Sequence, residues 1–379
     1  MSQFPPFTDE HEQFRTVVRA WVERELRPHA ARWEEDCWVP NEAFAAVAEQ
    51  GYFGLSLPEE YGGDDDVVAG AVFAEELSRC GSGGVAASIG AHAFIALPPV
   101  AAFGTDEQKR RYLVPGMAAE KIGALGITEP DAGSDVAGLK TTARRVDGGY
   151  LVNGSKVYIT NGVRADFVVM AVRTAPGTGH RGISLLIVDT DQPGYQASAL
   201  HKHGWHASDT ALIALDDVFV PEGNLLGTEH EGFKLVMANF QWERLAMALQ
   251  AVGAMQDGFE RTLRYARERT AFGRRLLDNQ VIAHRLVDME TTIYRSRCVA
   301  YDALRRHAAG EDAMREVTMA KLATQRAAYE LLDGCVQIHG GAGYMREYEV
   351  ERMLRDARLG PIGGGTDEIM REILAKGLR

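Results

Sequence analysis

Two charged residues interrupt the most apolar long stretch of this sequence. Leu235 to Gln256 is a run of aliphatic, aromatic and amide side chains in which only Glu243 and Arg244 carry charge. Val236, Phe240, Glu243, Met247, Ala251 and Ala254 recur at spacings of three and four. That period puts Glu243 on one stripe of a helix among apolar neighbours. An unpaired carboxylate in such a place is costly to ionise, so its pKa rises. A raised carboxylate suits a general base working near neutrality. The other reading of Glu243 is a structural carboxylate paired with an arginine.

Two further stretches carry side chains suited to holding a ligand. Gly126-Ile127-Thr128-Glu129-Pro130-Asp131-Ala132-Gly133-Ser134-Asp135-Val136-Ala137-Gly138 is rich in small residues and hydroxyls. Such a loop lets backbone approach a flat or phosphorylated ligand and offers it N–H donors; equally, it reads as a surface loop entering a strand. Gln337-Ile338-His339-Gly340-Gly341-Ala342-Gly343-Tyr344 reads by itself as a helix ending in glycines and linking to another helix. His201, His203 and His206 cluster near Trp205, but acidic ligands are sparse there and no metal site is expected.

The elements that must position these residues fall into three zones. Residues 1–122 are helical, with Thr8 as an N-cap candidate and a helical period through Phe14, Val17, Val18, Trp21 and Val22. Residues 123–228 change to short β-branched runs. Gly149–Gly154 reads as a strand ending in an Asn-Gly turn, and Val157–Thr160 before Asn161-Gly162 repeats the pattern. Residues 229–379 return to long helical stretches that suggest a bundle. The fold class is therefore α+β and multidomain: helical, then antiparallel β, then a helical bundle.

The 379 residues exceed one ordinary core. A net charge of −12 makes nucleic acid and anionic membrane poor partners. Four scattered cysteines without a CxxC pair fit a reducing compartment and neither a disulfide scaffold nor zinc. The first twelve residues lack the features of a signal or transit peptide, so a cytoplasmic location is expected. The apolar run 235–256 reads as a buried helix and not a membrane span.

Together the two ligand-holding stretches resemble those of the FAD-dependent acyl-CoA dehydrogenase family. The resemblance extends over nearly the whole chain, through Leu57–Gly63, Arg269-Thr270-Ala271-Phe272-Gly273 with Gln280, and Gly365-Thr366-Asp367-Glu368-Ile369. It implies that Ile127, Thr128, Gly133, Ser134, Tyr158, Ile159 and Thr160 hold the flavin ring, with Thr160 near its N5. Tyr158 stands where the family often has Trp. Arg269, Phe272, Gln280, Gln337 and Gly341 would hold the diphosphate and adenosine from a neighbouring subunit, and Thr366 and Glu368 the last cofactor contacts. Ser134, Arg244 and Gly364 would meet the acyl-CoA.

The implied reaction is α,β-dehydrogenation of an acyl-CoA, with electrons passed to an electron-transferring flavoprotein. A homotetramer and a role in fatty-acid oxidation come with it. Most members carry their base in a C-terminal Tyr-Glu-Gly-Thr run, but this chain reads Ile362-Gly363-Gly364-Gly365-Thr366. Glycine at 364 cannot take a proton. The context Glu243-Arg244-Leu245 is similar to that of the long-chain and isovaleryl members, whose base lies on a helix. The alternatives are a flavin oxidase or monooxygenase, an enzyme for carrier-protein-bound acyl groups, or an inactive flavin-binding subunit.

Overall fold

The structure, a computed structural model, describes residues 5–175 and 177–378. Helices occupy the chain up to Met117, strands run from Gly123 to Leu226, and helices return from Gly232. The first helix, Asp9–Trp21, starts on Thr8, whose side chain accepts from the His11 N–H as an N-cap should. Val18 and Trp21 are buried as the helical period predicts, but Val17 faces solvent.

The middle zone is one eight-stranded sheet of β1 (Gly123–Gly126), β2 (Thr142–Val146), β3 (Gly149–Ile159), β4 (Phe167–Arg173), β5 (Ile183–Asp189), β6 (Tyr195–Ala199), β7 (Ala211–Pro221) and β8 (Leu225–Leu226). Its order is β6-β7-β3-β2-β4-β5-β8, with β1 parallel to β4. β4 and β5 are covered on both faces, which is why they read as unbroken apolar runs. β7 instead alternates, leaving one face to solvent. Inside the sheet, Tyr150, Val152, Val168, Met170, Leu186 and Ile213 form a core of their own.

The expected turn at Asn153-Gly154 is not there. β3 runs straight through it, with a register shift against β7 between Val152 and Gly154. Asn153 Nδ2 donates to Asp217 Oδ1 at 2.8 Å, and Asp217 N donates back to Asn153 Oδ1 at 2.9 Å. Gly154 sits at φ 144° with Thr141 Oγ1 2.6 Å from where a Cβ would stand. A bulge uses the glycine that a hairpin would have used. Asn161-Gly162 does make a turn, with Asn161 at φ 62°.

The C-terminal bundle consists of Gly232–Glu268, Gln280–Ala308 and Met314–His339, followed by the shorter Val350–Ala357 and Asp367–Lys376. The helix Val67–Leu77 lies against the first of these, so closely that a side chain on Gly253 would strike the Glu75 carbonyl. Buried polar groups tie the same helix to its other neighbours: from Asp9–Trp21, Arg15 Nη1 donates to Glu75 at 2.9 Å and Glu76 at 3.2 Å, and from Gln280–Ala308, Tyr301 Oη donates to Glu75 at 2.8 Å.

A second clasp joins all three zones. Asp356 accepts from Gly83 N at 2.8 Å and Trp205 N at 2.6 Å, while Glu34 accepts from Ser82 Oγ at 2.5 Å and Ala207 N at 3.2 Å. Burial and the neighbouring Glu34 push Asp356 up to about 7. One stretch among the described residues, Gly83–Phe103, is long and apolar enough to cross a membrane, and most of it is buried inside the protein.

Candidate active site

Glu243 sits near the start of the 37-residue helix Gly232–Glu268, with only 9% of its surface exposed. Its Oε2 is buried and has no hydrogen-bond partner among the described residues. Burial pushes the carboxyl up to about 7, against the pull of Arg244 and Lys321. Arg244 does not form an ion pair that would neutralise it. Its Nε donates instead to Gly364 O at 3.2 Å, and its guanidinium lies over the Phe240 ring at 5.4 Å.

The loop 360–366 meets the Glu243 helix at this point. Gly364 has φ 62°, and a Cβ built there would stand 3.7 Å from Glu243 Oε1 and 2.5 Å from Met247 Sδ. Lys321 Nζ donates to Gly365 O at 2.6 Å, so two cations anchor consecutive carbonyls of the loop. With both carbonyls engaged, the Gly364 N–H donates to no described residue. The structure thus brings Glu243, Arg244 and Gly364 together, as the sequence-based assignment required. Lys321 and Met247 complete the group. Lys321 was missed because a lysine on a mixed helix face carries no signal until the loop it anchors is located.

A second group lies on the sheet. β1 leads into the loop 127–140, which is pinned from inside by Glu129. This carboxylate, 4% exposed, accepts from Lys140 N at 2.5 Å, Thr141 N at 3.0 Å and Lys156 Nζ at 2.8 Å. Burial opposes its charge, but Lys156 and these donors outweigh burial and hold Glu129 below the usual carboxylate range. Lys156 Nζ also donates to Ile127 O at 3.1 Å, and Val157 N to Thr128 O at 2.9 Å. The pinned loop therefore runs beside the end of β3, bringing Ile127 and Thr128 next to the segment that leads to Tyr158, Ile159 and Thr160. Gly133 and Ser134 lie exposed at its tip.

Tyr158 is 70% exposed at φ 62° near the end of β3, where the register against β7 shifts between Val157 and Ile159. An aromatic face turned outward there, beside the half-buried Thr160 and open loop backbone, fits a flat ring such as a flavin. Asn161 adds a support that sequence reading passed over. It is fully buried, and its Nδ2 donates to Ser88 O at 2.8 Å, tying the turn to the helix Gly83–Gly90.

The remaining assigned residues lie elsewhere. Arg269 ends the long helix, Phe272 is fully exposed in the small hairpin after it, and Gln280 opens the next helix. Gln337 and Gly341 are exposed at the end of Met314–His339. Tyr265 stacks on His339 at 4.2 Å, so these residues share one end of the bundle. From Glu243 to Arg269 is 26 residues, about 39 Å of helix. Arg269 therefore lies far along the helix from the Glu243 site. Thr366 caps the last helix through Ile369 N at 3.2 Å, and Glu368 is exposed beside it. His206 Nε2 lies 3.0 Å from Lys202 O, and no three potential ligands cluster to hold a metal among the described residues.

The chain is thus helical, then β, then helical, with a buried, unpaired carboxylate facing a glycine loop. Comparison with known proteins gives the class. Three family profiles match in order: acyl-CoA dehydrogenase N-terminal domain over residues 8–121, middle domain over 124–218 and C-terminal domain over 230–379. The chain is 38% identical over 371 residues to an acyl-CoA dehydrogenase of Bacillus subtilis, covering 97% of this chain and 98% of that one. It is 36% identical over 375 residues to the mitochondrial long-chain specific acyl-CoA dehydrogenase of Mus musculus, covering 98% and 86%. A crystal structure of a probable acyl-CoA dehydrogenase from Mycobacterium abscessus superimposes with a TM-score of 0.95 at 44% identity, covering 98% and 99%. This chain belongs to the acyl-CoA dehydrogenase family of FAD-dependent oxidoreductases.

Proposed function

We propose that this enzyme removes the α-proton of an acyl-CoA with Glu243 as the base. The observation that carries the reading is the buried, unpartnered carboxylate of Glu243 facing the Gly364 backbone. A carboxyl near 7 is half ionised at neutral pH, so it can accept a proton from a weak carbon acid. The free N–H of Gly364 is available to a thioester carbonyl, which would make the α-proton more acidic. Arg244 and Lys321 hold that N–H in place through the two adjoining carbonyls. Bound FAD supplies the acceptor for the hydride that leaves the β-carbon.

Ile127, Thr128, Gly133, Ser134, Tyr158, Ile159 and Thr160 are the proposed cradle of the flavin ring, with Thr366 and Glu368 at its edge. Ser134 also borders the proposed acyl-CoA path. Arg269, Phe272, Gln280, Gln337 and Gly341 would grip the other half of a cofactor bound mainly to a second copy. The separation of about 39 Å along the helix supports this. Exposed Phe272, Tyr344, Val281 and Val287 support a covered surface toward that end of the bundle. A homotetramer is the proposed assembly, in the cytoplasm, with an electron-transferring flavoprotein as the acceptor. No Gly-x-Gly-x-x-Gly that follows a strand and opens a helix, the fingerprint for NAD, occurs in the sequence; Gly177–Gly182 has the spacing but leads into β5.

The test is anaerobic titration of the purified holoenzyme with acyl-CoA thioesters, following the flavin absorbance. Bleaching by at least one thioester is expected. If none bleaches it, the proposed activity is wrong.

A further inference from the structure

Thr160 stands between two left-handed residues. Tyr158 and Asn161 both have φ 62°. That conformation is uncommon outside glycine, and asparagine is among the few residues that tolerate it. A chain that bends on both sides of one residue does not by itself aim that residue. Its direction depends on what holds the two ends.

Before Thr160, Val157 N donates to Thr128 O at 2.9 Å and Ile159 packs into the core of the sheet. After it, Asn161 is fully buried, and its Nδ2 donates to Ser88 O at 2.8 Å on the helix Gly83–Gly90. Arg164, three residues on, donates to Val39 O and Asp209 Oδ1 and anchors the far end of the turn. The hydrogen bond from Asn161 is thus the tie next to Thr160.

That tie leaves part of the amide idle. Ser88 O can only accept, so the amide nitrogen must face it. Asn161 Oδ1 is buried without a hydrogen-bond partner among the described residues, and so is Ser88 Oγ. A buried acceptor left unpaired lowers stability. An apolar side chain would avoid that loss but could not make the tie. Local concessions of this kind are expected where a site needs a group held in place.

The helix at the other end of the tie reaches the base. A Cβ on Gly90 would stand 3.0 Å from Gln250 Nε2, on the helix that carries Glu243. Asn161 therefore links the turn holding Thr160, through Gly83–Gly90, to the Glu243 helix.

We propose that Asn161 is a positioning residue: its hydrogen bond to Ser88 O sets the direction of Thr160 toward the flavin. The proposal rests on the reading of Thr160 as part of the flavin cradle.

The test reads the bound flavin first and the reaction second. Asn161→Gly keeps the left-handed backbone and removes the amide. In the holoenzyme without substrate, the visible circular dichroism and the midpoint potential of bound FAD should both shift from wild type. With the acyl-CoA that reduces wild type fastest, saturated flavin reduction should slow about tenfold to 10²-fold, while the Kd of that thioester stays within about threefold. A merely structural role would lower the melting temperature and leave the dichroism and potential of the retained flavin as in wild type; that result overturns the proposal. Combined with Thr160→Ala, Asn161→Gly should add little further loss, because it acts through Thr160. Losses that simply add would overturn it.

Asn161→Asp is the second variant. Its carboxyl can donate to Ser88 O only while protonated. Its substrate-free dichroism should return toward wild type as the pH is lowered, a change that wild type does not share. A spectrum that stays displaced at every pH would overturn the proposal, and so would failure of both variants to fold, which makes Asn161 structural. Ser88→Ala keeps the accepting carbonyl and should leave the flavin spectrum unchanged; a shift as large as that of Asn161→Gly would overturn the assignment of the tie. If Thr160→Ala alone leaves the spectrum unchanged, the cradle reading fails and takes this inference with it. If only Asn161→Gly leaves it unchanged, the cradle stands and the inference falls.

Discussion

Glu243 Oε1 lies 3.7 Å from the point where a side chain on Gly364 would begin, although the two residues come from different elements of the bundle. The helix position and the loop position for a base are thus two entrances to one site. Only one of them carries a carboxylate in this chain, and the other is left as bare backbone with its N–H free.

Replacing Glu243 by Gln keeps the shape and removes the ionisation. Single-turnover flavin reduction should fall by about 10²–10⁴-fold, the usual contribution of a general base. FAD content and binding of the acyl-CoA should stay near wild type. A rate within a few-fold of wild type would place the base elsewhere.

The pH dependence follows from burial of that carboxyl. Since Glu243 is pushed up to about 7, reduction should lose rate as pH falls through 7, on the acid limb. Stability runs the other way. The folded carboxyl holds its proton more tightly than the unfolded one, so its ionisation costs stability. That cost is absent below about pH 4.5 and complete above about pH 7, at about 3 kcal/mol. Thermal melts of the holoenzyme should therefore show Glu243→Gln gaining more relative to wild type at pH 8 than at pH 5. An equal difference at both pH values would contradict the buried, raised carboxyl.

Moving the base back to the loop requires room as well as a carboxylate. In Glu243→Gln, adding Gly364→Glu alone should recover little. The new Cβ meets Met247 Sδ, and the left-handed φ of 62° costs a non-glycine residue about 1–2 kcal/mol. Adding Met247→Ala as well should recover at least about tenfold of the lost rate, a small part of what a general base supplies. Recovery without the Met247 change would show that the sulfur is no obstacle.

The loop that would meet the flavin depends on one buried ion pair. Lys156→Met leaves the Glu129 carboxylate with its two backbone donors but no counter-charge, at a cost of about 3–5 kcal/mol. The expected result is a lower melting temperature and poor retention of FAD on gel filtration. Full flavin occupancy in that variant would show that Glu129 does not organise the loop.

Arg269→Ala tests the far end of the bundle. A guanidinium grips phosphate in a bidentate fashion that alanine cannot replace. If Arg269 reaches a cofactor lodged in another copy, the variant should be purified largely without FAD while its chain stays folded. Normal flavin content would remove Arg269 from the cofactor site.

Much of this was legible in the chain itself, because it is written in local patterns. Helical spacing put Glu243 on an apolar stripe, and β-branched runs marked the middle zone. The Gly-Gly-Gly sequence at 363–365 showed by its composition that the loop has no base. Periodicity fixes which face a residue takes, and composition fixes what chemistry it offers. Neither says what lies across from it. Arg244 and Gly364 are 120 residues apart, and only packing of the bundle made the guanidinium a strut for the loop and left the neighbouring carboxylate unpaired. The same packing turned Asn153-Gly154 from the expected turn into a bulge, once Asp217 became available as a partner. It also set Asn161 against the helix Gly83–Gly90, a contact that no single stretch of sequence reveals. Contacts of this range depend on how the whole chain closes on itself, and that is what the tertiary structure decided.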